Sequence, residues 1–148
     1  MEDYAIIEGI YKINKDLTIN VKGNVVLRGL KHEHQMPEYI QFNKVDGNFG
    51  IYGSSLIGVI WSLRGCPKIV TGNFSCNSNK YLSSLEGCPE YVGGDFNCSY
   101  CPELKSLEGC PKEVGGDFNC KRPKHKFPLS TIKKLCKVKG KILNKYES

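Results

Sequence analysis

The sequence predicts a β-rich solenoid: a stack of about six coils with one parallel sheet and little helix. A motif of the form Ser-Leu-x-Gly-Cys-Pro begins at residues 62, 84 and 106, in steps of 22 residues without a gap. A second motif, Val-x-Gly-x-Phe-x-Cys, follows each copy at a constant offset, with its valine at positions 70, 92 and 114. Self-similarity at such a period is the signature of a repeat architecture, in which each coil buries its apolar face against its neighbours.

Looser copies of the second motif extend the array in both directions. They share the pattern Val-x-Gly-x-apolar, and their glycines are Gly23, Gly47, Gly72, Gly94, Gly116 and Gly140. We therefore predict one repeat domain over residues 1–148. It divides into divergent N-terminal coils over 1–61, three regular 22-residue repeats over 62–120 and a basic C-terminal cap over 121–148.

Each repeat predicts one strand followed by a turn, an apolar return and a second turn. Val, Gly, Phe and Cys alternate with mostly polar residues in the second motif, which is the period of a strand with one buried face. Stacking the coils in register places Phe74, Phe96 and Phe118 in one buried column, where each ring contributes about 2–3 kcal/mol of transfer free energy. In the C-terminal cap, residues 130–136 predict a short helix with Ser130 as its N-cap.

The run Phe74-x-Cys76-x-x-Asn79-x-x-Leu82-x-x-Leu85 resembles the leucine-rich-repeat pattern, and Cys101 occupies the position that Asn79 holds one coil earlier. The repeat Ser-Leu-x-Gly-Cys-Pro-x-x-Val-Gly-Gly-x-Phe-x-Cys is similar to repeats in uncharacterised proteins of bacteriophages and large DNA viruses. These resemblances imply a leucine-rich-repeat-like fold and a phage or viral source, and they imply no particular partner.

The eight cysteines favour reduced thiols over a disulfide framework. The acidic start, Met1-Glu2-Asp3, lacks the basic region of a secretory signal, so we expect a cytoplasmic protein, in the host cytoplasm if it is phage-encoded. Cysteines stacked one per coil lie about 4.8 Å apart, and one such column cannot surround a single metal ion. Cys98-Ser-Tyr-Cys101 is a lone CxxC, for which a turn role outweighs a metal or redox role. We therefore predict no metal and no cofactor.

Charge is distributed unevenly along the chain. Residues 1–120 hold 11 Lys/Arg and 14 Asp/Glu, a net −3, whereas residues 121–148 hold 10 Lys/Arg and one Glu, a net +9. The lysines singled out as candidates for binding phosphate or an acidic protein surface are Lys124, Lys126, Lys133 and Lys134. The alternative interpretation is a solvated cap, because the last coil of a solenoid must present a polar face.

No catalytic arrangement of residues stands out, so the sequence predicts a non-catalytic binding module and not an enzyme. The first hypothesis is a phage or viral protein that binds a host protein, and no membrane interaction is predicted. Its candidate surface is the polar side of the predicted strands: Asn73, Ser75, Asp95, Asn97, Asp117 and Asn119. The second hypothesis is a nucleic-acid or nucleotide binder using the basic C-terminal segment, and the third is a virion structural component.

Overall fold

The computed structural model describes residues 4–28, 36–52, 62–121 and 124–145. Within these ranges, twelve strands form one sheet. There is also one short helix, α1 (Leu129–Leu135). The strands are β1 (Tyr4–Ile13), β2 (Ile19–Arg28), β3 (Phe42–Asp46), β4 (Phe49–Tyr52), β5 (Ile69–Val70), β6 (Phe74–Ser75), β7 (Tyr91–Val92), β8 (Phe96–Asn97), β9 (Glu113–Val114), β10 (Phe118–Asn119), β11 (Lys137–Val138) and β12 (Ile142–Leu143).

The strands run in the order β11-β9-β7-β5-β3-β2-β4-β6-β8-β10-β12. All of these pairings are parallel. The first half of β2 pairs with β3 and its second half with β4, so β2 joins two parallel ladders that run side by side along the stack. The predicted β-rich solenoid with a parallel sheet and little helix is confirmed.

Each coil contributes two short strands, so the prediction of one strand per coil is wrong. The backbone bends at the glycine of each Val-x-Gly-x-Phe motif, and this bend separates β5 from β6, β7 from β8 and β9 from β10. Val92 and Phe96 are both fully buried on the two sides of the bend, so both face the same core. We call this bend the glycine corner.

The predicted number of coils differs slightly from the observed stack. The sheet has six levels of strand, namely β2, β3 with β4, β5 with β6, β7 with β8, β9 with β10, and β11 with β12. Fewer complete turns, about four, connect these levels, and the first level belongs to a hairpin.

The predicted phenylalanine column is confirmed and is longer than expected. The ring centroids of Phe49 and Phe74 are 5.8 Å apart, those of Phe74 and Phe96 5.7 Å, and those of Phe96 and Phe118 4.9 Å. Ile142 pairs with Phe118 and ends the column at the last level. Because all four rings are at most 1% exposed, this column is the axis of the hydrophobic core.

The N-terminal end of the stack is an antiparallel hairpin that the repeat pattern did not predict. β1 pairs with β2 over ten residues, and Gly9 lies opposite Gly23, the first corner glycine. Thr18 donates two hydrogen bonds to Asp16 Oδ1 in the turn, one from its backbone N–H and one from its hydroxyl. These bonds lower the pKa of the Asp16 carboxyl and fix the reversal of the chain.

Helix α1 lies just before the last level of the sheet. It begins after Pro128, which occupies the N-cap position with extended backbone angles and makes no side-chain cap. The short helix is therefore confirmed, but the assignment of Ser130 as N-cap is wrong, since Ser130 lies inside the first turn. Proline fits here because its fixed φ suits the start of a helix, where the N–H groups have no intrahelical partner.

Candidate binding surfaces

The six residues predicted to form the polar binding surface lie in two columns. Asn73, Asp95 and Asp117 directly follow the corner glycines, while Ser75, Asn97 and Asn119 end the strands β6, β8 and β10. All six are partly or fully exposed. In both columns, side-chain oxygens also make hydrogen bonds within the solenoid.

In the first column, the side chains accept backbone hydrogen bonds at the glycine corner. The amides of Gly94 and Asp95 both point toward the preceding coil, which is one more donor than the local backbone can accept. Gly94 donates to the carbonyl of Gly72 (2.8 Å), and Asp95 donates to the side-chain Oδ1 of Asn73 (2.8 Å). The next amide, that of Phe96, points the other way, to the carbonyl of Asp117. The Asn73 side chain therefore supplies the acceptor that the bend removes.

This arrangement recurs at every level of the stack, and we call it the oxygen ladder. In each step, Oδ1 of one coil accepts the backbone N–H of the equivalent residue in the next. The steps are Asn24 from Asn48 (2.9 Å), Asn48 from Asn73 (2.8 Å), Asn73 from Asp95 (2.8 Å), Asp95 from Asp117 (2.8 Å) and Asp117 from Lys141 (2.7 Å).

The corner glycines make the oxygen ladder possible. A Cβ at Gly94 would collide with Asn73 Oδ1, and a Cβ at Gly116 would collide with Asp95 Oδ1 in the same way. The pair Gly-Asn or Gly-Asp is therefore one structural unit. The Gly-Asn or Gly-Asp pair recurs in the sequence at five successive corners, and Gly140-Lys141 replaces it at the sixth. The prediction from the sequence assigned these Asn and Asp residues to a binding surface and did not recognise the pair as a structural signal.

The second column fixes the turn that follows each strand. Ser75 Oγ donates to Asn77 Oδ1 (2.5 Å), Asn97 Oδ1 accepts the backbone N–H of Ser99 (3.0 Å), and Asn119 Oδ1 accepts that of Lys121 (3.1 Å). Both columns thus have a structural role that accounts for their residue types. Binding of a partner by these six residues stays a prediction.

The predicted basic residues are spread over several parts of the C-terminal end. Lys124 forms an ion pair with Glu103, and this hydrogen bond lowers the pKa of the Glu103 carboxyl. Lys126 is exposed, and Lys133 and Lys134 lie in the last turn of α1, where positive charge complements the helix dipole. Of these four lysines, Lys133 is the one that lines the groove described next.

A groove at the end of the solenoid brings one of them together with two lysines that were not singled out. The groove is an open depression of about 750 Å³ between α1 and the last level of the sheet, and Lys133, Lys137 and Lys141 line it. Its other lining residues are mostly apolar: Leu129, Cys136, Val138, Gly140, Ile142 and Leu143. We call it the C-terminal groove. Three lysines and several apolar residues thus line the same groove, and Leu129 is 45% exposed.

The eight cysteines are free thiols, and six of them are buried. Burial raises the pKa of Cys66, Cys76, Cys88 and Cys98 well above the usual value, and it raises the pKa of Cys101 and Cys120 to about 11. The thiols of Cys110 and Cys136 share a hydrogen bond, which raises the pKa of Cys110 and lowers that of Cys136. Within the described ranges, no group of three or more His, Cys, Asp or Glu side chains is placed to hold a metal ion.

Cys101 has the turn role that its alignment with Asn79 predicts. Asn79 Nδ2 donates to the carbonyls of Cys76 (2.8 Å) and Ile51 (3.3 Å), which belong to its own coil and the preceding one. Cys101 Sγ likewise donates to the carbonyls of Ser99 (3.6 Å) and Cys76 (3.3 Å). The two side chains bridge successive coils in the same way, through contacts with backbone carbonyls.

The structure also bears on membrane association and on relationships to other proteins. In the part of the chain that the structure describes, no helix is long and apolar enough to cross a membrane.

Comparison with known protein families, curated proteins and solved structures finds no match to this chain.

Proposed function

We propose that this protein is a non-catalytic binding module that takes an acidic, partly apolar protein segment in the C-terminal groove. The observation that carries the proposal is the composition of that groove. Lys133, Lys137 and Lys141 line it, and Leu129, Val138 and Ile142 contribute apolar surface beside them.

The charge of the chain favours an acidic partner. The segment over residues 121–148 has a net charge of +9, against −3 for the rest of the chain. This asymmetry supports an acidic partner, and the notion that this partner is a host protein met in the cytoplasm is part of the proposal. Long-range attraction of this kind accelerates association and weakens as salt is added.

The apolar residues that line the groove favour an acidic protein segment over a nucleic acid as the ligand. A phosphate backbone would be held by the lysines alone, whereas an amphipathic acidic segment would also bury apolar side chains against Leu129 and Ile142. Nucleic acid remains the second candidate, favoured by the same three lysines. A virion structural role is the third candidate, and no contact described above supports it.

The test compares two triple variants that change the net charge equally. The groove variant is Lys133→Glu, Lys137→Glu and Lys141→Glu. The control variant is Lys15→Glu, Lys80→Glu and Lys105→Glu, all at exposed lysines outside the groove. Tagged wild type and both variants are used as bait in host lysate, with and without nuclease.

We expect a protein that survives nuclease treatment to be captured by the wild type and the control variant and lost with the groove variant. Replacing Leu129 by serine should weaken capture of that protein without affecting the binding of a labelled oligonucleotide. If the oligonucleotide instead binds with a steep salt dependence and the serine variant behaves as the wild type, the second candidate replaces the first.

A further inference from the structure

The C-terminal groove lies along an open edge of the sheet. β11 and β12 are the two ends of the strand order, so neither has a neighbouring strand on its outer side among the described residues. Residues of both strands and of the corner between them line the groove. An unpaired edge is a template for a further strand, and the lysines around this edge select the charge of that strand.

Two backbone carbonyls are open acceptors at this edge. At the preceding level, the carbonyl of Val114 accepts the N–H of Lys139 (3.0 Å), and the carbonyl of Gly116 accepts the N–H of Gly140 (2.9 Å). Val138 pairs with Val114, and Gly140 is the next corner glycine after Gly116. Because the levels stack in register, the carbonyls of Val138 and Gly140 point the same way, toward the place that a further level would occupy.

One backbone N–H is an open donor beside these two acceptors. Phe96 donates its N–H to the carbonyl of Asp117 (2.8 Å), and Phe118 donates in the same way to the carbonyl of Lys141 (2.8 Å). Ile142 pairs with Phe118 and holds the next position in this column, so its N–H also points away from the stack. The edge therefore offers two acceptors and one donor in the order that an added parallel strand requires.

We propose that the ligand of the C-terminal groove is an acidic segment that adds to this edge as a short parallel strand, with the motif apolar-x-Gly-acidic-apolar. Residue x of the segment donates its N–H to the carbonyl of Val138, and the glycine donates to that of Gly140. The carbonyl of the acidic residue accepts the N–H of Ile142. This inference rests on the proposed function and adds to it the mode of binding and the sequence class of the partner.

The glycine and the two apolar positions of the motif follow from the surface of the last level. A Cβ at Gly140 would lie 2.5 Å from the carbonyl oxygen of Gly116, and a residue added beyond Gly140 meets the Gly140 carbonyl in the same way. Glycine is therefore required there. Val138 and Ile142 are only partly buried at this end of the core. An apolar side chain added to each of these columns would remove that exposed surface from water.

The acidic position follows from Lys141. At the preceding level this column holds Asp117, whose Oδ1 accepts a backbone N–H, whereas Lys141 offers a cation. An acidic side chain directly beside Lys141 forms a pair of opposite charges, and Lys133 and Lys137 line the same groove. The corner is exposed, so water can accept the N–H of the acidic residue. The three lysines would repel the same end of a second copy, which favours a partner of opposite charge over self-association.

The probe is the labelled peptide Glu-Tyr-Val-Gly-Gly-Asp-Phe-Asn, which copies residues 90–97 and contains the motif. Its binding to the full chain is measured by fluorescence anisotropy at low salt. Methylation of the amide nitrogen of its second glycine removes the donor to Gly140 and should weaken binding about tenfold. Methylation of the phenylalanine nitrogen is the matched control. That N–H points away from the edge, so binding should stay within about threefold of the unmodified peptide.

A double-mutant cycle tests the contact with Lys141. Replacing the aspartate of the peptide by asparagine should weaken binding to the wild type about fivefold, and should change binding to Lys141→Met by less than about twofold. The control Lys134→Met changes an exposed lysine of α1 that does not line the groove. This control should distinguish the two peptides as the wild type does, and a Lys141→Met variant that still distinguishes them fivefold contradicts the acidic position of the motif.

A scrambled peptide of the same composition separates this inference from the proposed function. If it binds as tightly as the motif peptide and is lost with the groove variant, the groove takes acidic segments without strand pairing. The inference is then overturned and the proposed function stands. Equal weakening by the two methylated peptides also overturns the inference, as does a wild type that does not bind the motif peptide. In that last case, the capture experiment in host lysate decides the proposed function independently.

Discussion

Replacing Asp95 by alanine removes one step of the oxygen ladder and leaves the rest of the coil unchanged. The backbone N–H of Asp117 would lose its acceptor, Asp95 Oδ1, which lies 2.8 Å away. The situation matches a helix N-cap, where a side-chain oxygen satisfies an otherwise unpaired N–H and its loss costs about 0.5–2 kcal/mol. Because Asp95 is exposed and water can replace part of the bond, we expect a loss of about 1 kcal/mol in the free energy of unfolding.

The matched control is Asp95→Asn, which keeps an oxygen at Oδ1 and already occurs in the ladder as Asn73. We expect it to unfold within about 0.3 kcal/mol of the wild type, and the alanine variant to melt about 3 °C lower, as measured by urea and thermal denaturation with circular dichroism. Equal losses in the two variants would refute the role of the side-chain oxygen. If Asp95→Asn folds normally but loses a partner that the wild type binds, the carboxylate has the binding role that the sequence predicts.

Three further predictions concern the core, the turns and the surface charges. Phe96→Ala should cost about 3–5 kcal/mol, because the fully buried ring stacks between two others, and a loss below about 2 kcal/mol in urea denaturation would contradict this. Asn79→Cys should stay within about 1 kcal/mol of the wild type, as Cys101 fills the equivalent position, whereas Asn79→Leu should cost about 2–3 kcal/mol by leaving buried carbonyls without a donor. The hydrogen bond from Lys139 lowers the pKa of Glu113. The folded state is therefore stabilised above the ordinary carboxyl pKa, and this stabilisation disappears as pH falls through the lowered value. Lys139→Ala should remove that acid-dependent part of the free energy of unfolding, whereas the control Lys134→Ala should leave it unchanged.

The buried columns could be predicted from the sequence because coils that stack in parallel and in register place each residue next to its own copy. Phe96 had to lie between Phe74 and Phe118 once the 22-residue step was recognised. The same step places Val92 between Val70 and Val114. Identity of residues at a fixed period contains enough information to define these contacts.

The two-strand coil could not be predicted from the same pattern. Alternation of Val, Gly and Phe is equally compatible with a straight strand and with two strands that bend around a common core. The distinction lies in the backbone amides of Gly94 and Asp95, which point the same way only because the chain turns there. The recurrent Gly-Asn and Gly-Asp pairs reflect the bend. They could not be interpreted from the sequence alone, because the direction of the Asn or Asp backbone N–H is known only from the structure.

The candidate site was predicted as a region and not as a set of residues. Charge counting identifies the basic end, yet it cannot tell which lysines converge. Lys133 reaches the C-terminal groove because α1 begins at Leu129, after the N-cap Pro128, and ends just before β11, which carries Lys137. Lys124 and Lys126 precede the helix and do not line the groove. If the N-cap were the predicted Ser130, two residues later, each side chain of the helix would be rotated by about 200° relative to the observed arrangement. A different set of residues would then face the groove.

The two ends of the stack differ in chemistry, and this difference limits how the solenoid can grow. At the C-terminal end, Lys141 takes the ladder position, and its side chain offers a cation where every earlier level offers an oxygen. A further coil placed on this end would find no acceptor for its corner amide and would meet three lysines. At the N-terminal end, β1 is an edge strand that pairs only with β2 among the described residues.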